Sequence, residues 1–251
     1  MKIFLFLSLL LSFGAVDAAS LADIVEKTKR SVVAVGTYMP KRSPRAVFLG
    51  TGFSIANGRL IVTNAHVLPA KIDLKSIETI AVFVRENKQV KMLEARTVAV
   101  DKKHDVAVLQ LVSAVLPAME LSNSTVREGQ SIAFTGYPIG MVLGLNPVSH
   151  RGIISAISPV VLPVLRAGQL NAKLMRRLRD PFDVYQLDAT AYPGNSGSPV
   201  YHAETGKVLG IINKVFVKES KETILSKPSG ITYAIPIRYL NELLIKYNLN
   251  Y

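Results

Sequence analysis

The chain predicts an all-β fold built as two packed barrels. Many short β-type runs are separated at close intervals by turn residues, and little helix lies between them. A weakly periodic stretch, "SAVLPAMELSNSTVREG" at 113–129, divides two strand-rich halves of similar size and reads as the linker. "SLADIVEKTKRSVVAV" opens with Ser20 and Asp23 at capping-box spacing, followed by apolar Leu21, Ile24 and Val25. It predicts a short helix, then a strand at 31–37. "YMPKRSPRA" is a basic loop with two prolines. "VFLGTGFSIANGRLIVTNAHVL" reads as two β runs joined across Asn57-Gly58, a hairpin signal. Further runs lie at 80–84, 96–100, 106–111, 131–137, 152–157, 184–187, 199–201, 208–217 and 231–235. "PIRYLNELLIKYN" closes the chain as an amphipathic helix, with Ile237, Leu240, Leu243, Leu244 and Tyr247 on one face. The boundaries that follow are an N-terminal barrel at about 31–112, a C-terminal barrel at about 130–236 and a helix at 237–248.

At 251 residues, 49% hydrophobic and 19% charged, the chain can bury a substantial core. Its first residues, "MKIFLFLSLLLSFGAVDAAS", place a lone Lys2 before an apolar run from Ile3 to Leu11, with small residues around Ala18 and Ala19. That layout is a signal peptide over 1–18, too short for a membrane span, with the mature domain over 19–251. The chain has no cysteine, which excludes a disulfide framework and a thiolate metal site. Export without cysteine points to the bacterial periplasm or the extracellular space. The net charge of +12 draws the protein to anionic surfaces. No recognition motif accompanies that charge, so no specific nucleic-acid partner is expected. No cofactor and no metal are expected either.

Chemistry concentrates around "TAYPGNSGSPV" at 190–200. Taken alone, a Gly-Asn-Ser-Gly cluster is equally good turn chemistry. Acyl transfer by serine needs a base, a carboxylate to orient it, and two N–H groups for the oxyanion. Only four histidines are available, and His66 in "IVTNAHVL" ends a β-type run. Asp105 stands immediately before an apolar strand, where it can be buried against an imidazole. Singly, His66 also reads as a strand-end histidine and Asp105 as a turn cap. Asp101, followed by Lys102, Lys103 and His104, looks solvated, and Asp188 is expected to shape a turn. Gly194 can present an unhindered N–H, which with that of Ser196 would form an oxyanion hole. The order His66, Asp105, Ser196 is the chymotrypsin order, and G-x-S-x-G fails because Ser198 occupies the second glycine position.

"GTGF" at 50–53, "TNAHV" at 63–67, "HDVAVL" at 104–109, "GNSGSPV" at 194–200 and "YAIPI" at 233–237 resemble, in order, the motifs of trypsin-like serine proteases. The chain is most similar to the HtrA/Deg protease domain; "GYPIG" at 136–140 and "GIISAIS" at 152–158 carry the same likeness. The resemblance spans about 20–245. It implies two six-stranded antiparallel barrels, with His66 as general base, Asp105 as its orienter and Ser196 as nucleophile. The amides of Gly194 and Ser196 are the implied oxyanion donors. The expected function is a serine endopeptidase acting on protein or peptide substrates. HtrA proteins usually carry PDZ domains after this unit, and the expectation here is a chain lacking one. "GNSGSPV" is also how glutamyl endopeptidases read, and a catalytically silent scaffold is the alternative from another class.

Thr190 stands where trypsins carry an acidic pocket floor, so a strong Lys or Arg preference is not expected. Ile212, Asn213 and Lys214, in "GIINKVF", are the further candidates for substrate binding, by main-chain pairing. Asn195 replaces the aspartate that pairs with a new N-terminus in animal trypsins, so regulation by loop ordering is expected instead. Residues 161–180 place Arg166, Lys173, Arg176, Arg177 and Arg179 against Asp180. A contact with an anionic membrane or envelope surface is one expectation, a solvated loop the other. Oligomerisation is left open.

Overall fold

The computed structural model describes residues 20–86, 89–138, 144–159, 181–213 and 231–249. Helix α1 (Leu21–Lys29) begins at the capping box: Ser20 Oγ accepts from Asp23 N, and the Asp23 carboxylate accepts from Ser20 N. Both are amides that a helix start otherwise leaves unpaired. Six strands follow: β1 (Val32–Tyr38), β2 (Ala46–Ile55), β3 (Leu60–Thr63), β4 (Thr79–Glu86), β5 (Gln89–Asp101) and β6 (Val106–Leu111). They close an antiparallel barrel in the order β1-β2-β3-β6-β5-β4. A second closed barrel has the order β10-β11-β12-β9-β8-β7. Its strands are β7 (Ser131–Gly136), β8 (Val148–Pro159), β9 (Asp183–Asp188), β10 (Pro199–His202), β11 (Val208–Asn213) and β12 (Ile231–Pro236). Helix α2 (Ile237–Lys246) ends the described chain.

The predicted all-β class with two six-stranded barrels is the observed one. Some elements run further than their pattern announced. β5 starts at Gln89, well before the expected 96–100; the apolar alternation of Val90 and Met92 changes phase at Leu93, so Val90 and Met92 are exposed while Leu93 and Ala95 are buried. β2 and β3 are joined at Ala56–Arg59, with Gly58 at φ +79°. A Cβ there would lie 2.1 Å from the Leu116 carbonyl oxygen, so glycine is required twice over. Tyr247 does not join the apolar face of α2. It is the C-cap residue and 43% exposed, while Ile237, Tyr239, Leu240, Leu243 and Leu244 are buried.

The interface between the barrels is one buried cluster. Val32 and Phe53 of the first pack in it with Tyr201, Val208 and Ile211 of the second and with Leu240 and Leu244 of α2. The connecting segment is hydrogen-bonded to both sides, Met119 N to Ser54 O at 2.8 Å and Ser122 N to Val208 O at 2.8 Å. Asp101 is not the solvated carboxylate its lysine neighbours suggested. Its Oδ2 lies 2.5 Å from Nδ1 of His104, and hydrogen bonds from His104 and Lys103 outweigh burial and hold its carboxyl below the usual range. His104 itself is buried, stacked on Tyr239 of α2 at 4.0 Å with Phe182 edge-on at 4.9 Å. The turn that carries Asp105 is thereby tied to the second barrel.

His150 on β8 stacks against Phe134 at 4.7 Å, and its buried Nε2 has no hydrogen-bond partner among the described residues. Burial lowers its pKa. The unfolded chain therefore protonates His150 at pH values where the folded chain keeps it neutral. Its contribution to stability is full above about 6.5, the ordinary imidazole value, and declines as pH falls below it. The melting temperature is expected to drop less between about pH 7.5 and 5.5 in His150→Gln than in the parent. Equal drops would contradict this assignment.

Candidate active site

The three predicted chemical residues lie on two different barrels. His66 sits in a 3-10 turn, Ala65–Val67, directly after β3. Asp105 precedes β6 and adopts φ +57°, a left-handed conformation in which a non-glycine residue needs support. That support is dense. The Asp105 carbonyl accepts from Ala65 N at 3.2 Å and Asn64 Nδ2 at 3.0 Å. Its Oδ1 accepts from His66 N at 2.8 Å; Oδ2 lies 2.6 Å from His66 Nδ1 and accepts from Asn213 Nδ2 at 2.7 Å. The carboxylate is thus pinned from both barrels. It fixes the imidazole with Nδ1 inward and 33% of the His66 side chain still exposed.

Ser196 lies in the turn between β9 and β10, flanked by Gly194 at φ +98° and Gly197 at φ +89°. The turn is closed by Asn195 N donating to Tyr192 O at 3.0 Å and Ser198 N to Asn195 O at 3.0 Å. Gly197 N donates to Ile212 O at 3.0 Å. The N–H groups of Gly194 and Ser196 donate to no described group, and Ser196 Oγ has no hydrogen-bond partner among the described residues. Thr51 of β2 joins this turn to the first barrel. Its N–H donates to Ser196 O at 2.8 Å, its hydroxyl to Gly194 O at 2.7 Å, and the hydroxyl accepts from Tyr137 N at 3.0 Å. A Cβ placed on Gly50 would meet Val67 Cγ2 at 2.7 Å and Ser196 O at 3.0 Å, so the neighbours of His66 and of Ser196 converge there.

The family of the trypsin-like peptidase domain matches residues 50–211, from the "GTGF" strand through the serine turn. The chain belongs to this family. Within this trypsin-like peptidase, the barrels also resemble the crystal structure of the serine endoprotease from Yersinia pestis. That likeness has a TM-score of 0.62 and 25% identity, covering 91% of this chain and 66% of that one. A probable periplasmic serine endoprotease, DegP-like, from Halomonas elongata is 33% identical over 190 residues, covering 75% of this chain and 33% of the relative. A putative serine protease, HhoB, from Synechocystis is 29% identical over 199 residues, covering 79% of this chain and 40% of the relative. The chain thus spans between a third and two fifths of the length of these curated relatives.

Of the expected substrate-binding residues, Thr190 is half-buried on the segment after β9. Ile212 sends its side chain into the core of the second barrel and offers its backbone to the serine turn. Asn213 is fully buried, with its amide committed to Asp105. Lys214 and the basic segment 161–180 lie outside the described residues. Among the described residues no group of three or more His, Asp or Glu side chains is placed to hold a metal ion.

Sequence reading passed over two parts of this trypsin-like peptidase site, Thr51 and the Asp105-orienting role of Asn213. Thr51 stands inside a noted motif, yet its partners are far away in the chain. Thr51→Val keeps the shape of this buried side chain and leaves Tyr137 N and Gly194 O unpaired. It is expected to lower kcat by about 10–100-fold through a loosened serine turn, with KM little changed, and Thr51→Ser is expected to restore most of it. Parental kcat in Thr51→Val would remove Thr51 from the positioning of the turn.

Proposed function

We propose that this chain is an exported serine endopeptidase that hydrolyses peptide bonds through a Ser196–His66–Asp105 triad and an acyl-enzyme. The observation that carries the reading is the Asp105 carboxylate, bound to His66 Nδ1 at 2.6 Å and braced by Asn213 from the other barrel. A carboxylate so placed holds the imidazole with its second nitrogen turned outward and stabilises the imidazolium that forms when it takes a proton. Ser196 Oγ attacks the substrate carbonyl and His66 takes its proton. The uncommitted N–H groups of Gly194 and Ser196 receive the developing oxyanion. His66 then gives the proton to the leaving amine, and water, activated by the same imidazole, releases the acyl group.

Residues 1–18 would direct export, to the periplasm or beyond, which agrees with the periplasmic names of several relatives. A contact of segment 161–180 with anionic membrane rests on its charge. It is checked by vesicle co-sedimentation, which is expected to be lost when Arg166, Arg176, Arg177 and Arg179 become glutamine. The test of the central reading is fluorophosphonate labelling followed by mass spectrometry. Labelling at Ser196 that disappears in His66→Ala is expected. A protein that stays unlabelled would be a scaffold on a protease fold.

A further inference from the structure

A cavity of about 630 Å³ opens beside the candidate triad, with His66, Asp105 and Asn213 on one side of it. Its lining includes the apolar Leu68, Ile72, Ile80 and Val100, each half-buried. Lys71 and Lys102 stand on the same lining and are exposed. Leu68, Pro69, Ala70, Lys71 and Ile72 of this lining belong to one excursion, residues 68–78, between the His66 turn and β4. That excursion is tied down internally. The Asp73 carboxylate accepts from Lys75 N, Ser76 N and Ser76 Oγ, and Glu78 accepts from Asp73 N and pairs with Arg42 at 2.8 Å. The cavity is therefore preformed, not a gap between loose strands.

The charge balance decides what it suits. Among the described residues that line it the one carboxylate is Asp105, held by His66 and Asn213, against the cations Lys71, Lys102 and Lys103; of the acids nearby, Glu78 pairs with Arg42. Among the described residues neither Lys71 nor Lys102 pairs with a carboxylate. An apolar lining with an excess of cations at its rim fits a side chain that has an aliphatic stem and an anionic end. Glutamate is that side chain.

We propose that this cavity is a specificity subsite for the substrate residue preceding the cleaved one, and that it selects glutamate there. The inference rests on the serine-endopeptidase reading above. A substrate paired in extended form with the end of β11 alternates its side chains between two faces. If the cleaved residue points into the second barrel beside Thr190, its predecessor points the other way, past His66 and into this cavity. The methylenes of glutamate then lie against Ile72 and Val100, and its carboxylate reaches the Lys71 and Lys102 rim. Aspartate is shorter and is expected to be accepted less well.

The test uses the full chain and fluorogenic peptides that differ only at that position: Glu, Asp, Gln, Leu or Lys. Glutamate is expected to exceed glutamine in kcat/KM by about fivefold and lysine by more, with the preference shrinking as salt rises. Lys71→Glu/Lys102→Glu is expected to reverse the Glu-to-Lys ratio, and Lys102→Gln to reduce it. Both lysines are exposed, and an unchanged melting temperature confirms that the variants are folded. Cleavage indifferent to charge at that position overturns the subsite and leaves the peptidase standing, as would inhibition by the glutamate peptide without preferential cleavage. A parent protein that neither cleaves nor takes the fluorophosphonate label overturns the peptidase reading, and the subsite with it.

Discussion

Ser196→Ala is expected to lower peptide hydrolysis by about 10⁶-fold, or about 8 kcal/mol of transition-state stabilisation, and to abolish fluorophosphonate labelling. The size follows from the absence of any substitute. In the proposed mechanism no covalent intermediate forms without the hydroxyl, and what survives is the contribution of the Gly194 and Ser196 amides and of binding. Combining it with His66→Ala should cost little more, because base and nucleophile act as one unit. Stability should stay within about 0.5 kcal/mol of the parent, since Ser196 is held by its backbone to Thr51. Kinetics and a thermal melt on the same preparation check both halves. Substantial residual hydrolysis would move the nucleophile elsewhere.

Gly197→Ala is expected to damage both stability and activity strongly. Gly197 has φ +89°, and a Cβ would lie 2.0 Å from the Thr51 carbonyl oxygen and 2.6 Å from Thr63 Oγ1. The left-handed backbone conformation and the overpacking each cost about 1–3 kcal/mol. Together they should lower the melting temperature by roughly 10 °C in a chain of this size. Activity should fall further than stability alone explains. Thr51 is the residue displaced, and Thr51 holds both the Ser196 and the Gly194 carbonyls. Calorimetry and labelling rate check the pair; a stable, fully labelled Gly197→Ala would refute the packing argument.

Much of the fold was readable because its signals are local. The α1 capping box spans three residues, and Asn57-Gly58 announces its own turn. The β-type runs of most strands are contiguous in the chain. β5 was underestimated at its exposed start, since its apolar residues change face between Met92 and Leu93 and break the period of two. Tyr247 was overestimated, because helical periodicity does not show where the last turn ends.

The candidate site divides in the same way. His66, Asp105 and Ser196 could be singled out because each sits in a short motif and the three stand in a telling order. Their supports could not. Thr51 bonds to Gly194 across 143 positions of chain, and Asn213 to Asp105 across 108. The Asp101–His104 pair is local, yet only packing against the distant Phe182 and Tyr239 buries its His104 ring. Residue order and local pattern decide which elements form and which side chains are available for chemistry, since turns, caps and strand alternation act over a few residues. Which polar groups meet, how the Asp105 carboxylate is shared between barrels, and what lines the cavity beside His66 were decided by barrel closure. Closure alone brings distant donors within hydrogen-bonding range and excludes the water that would otherwise satisfy them.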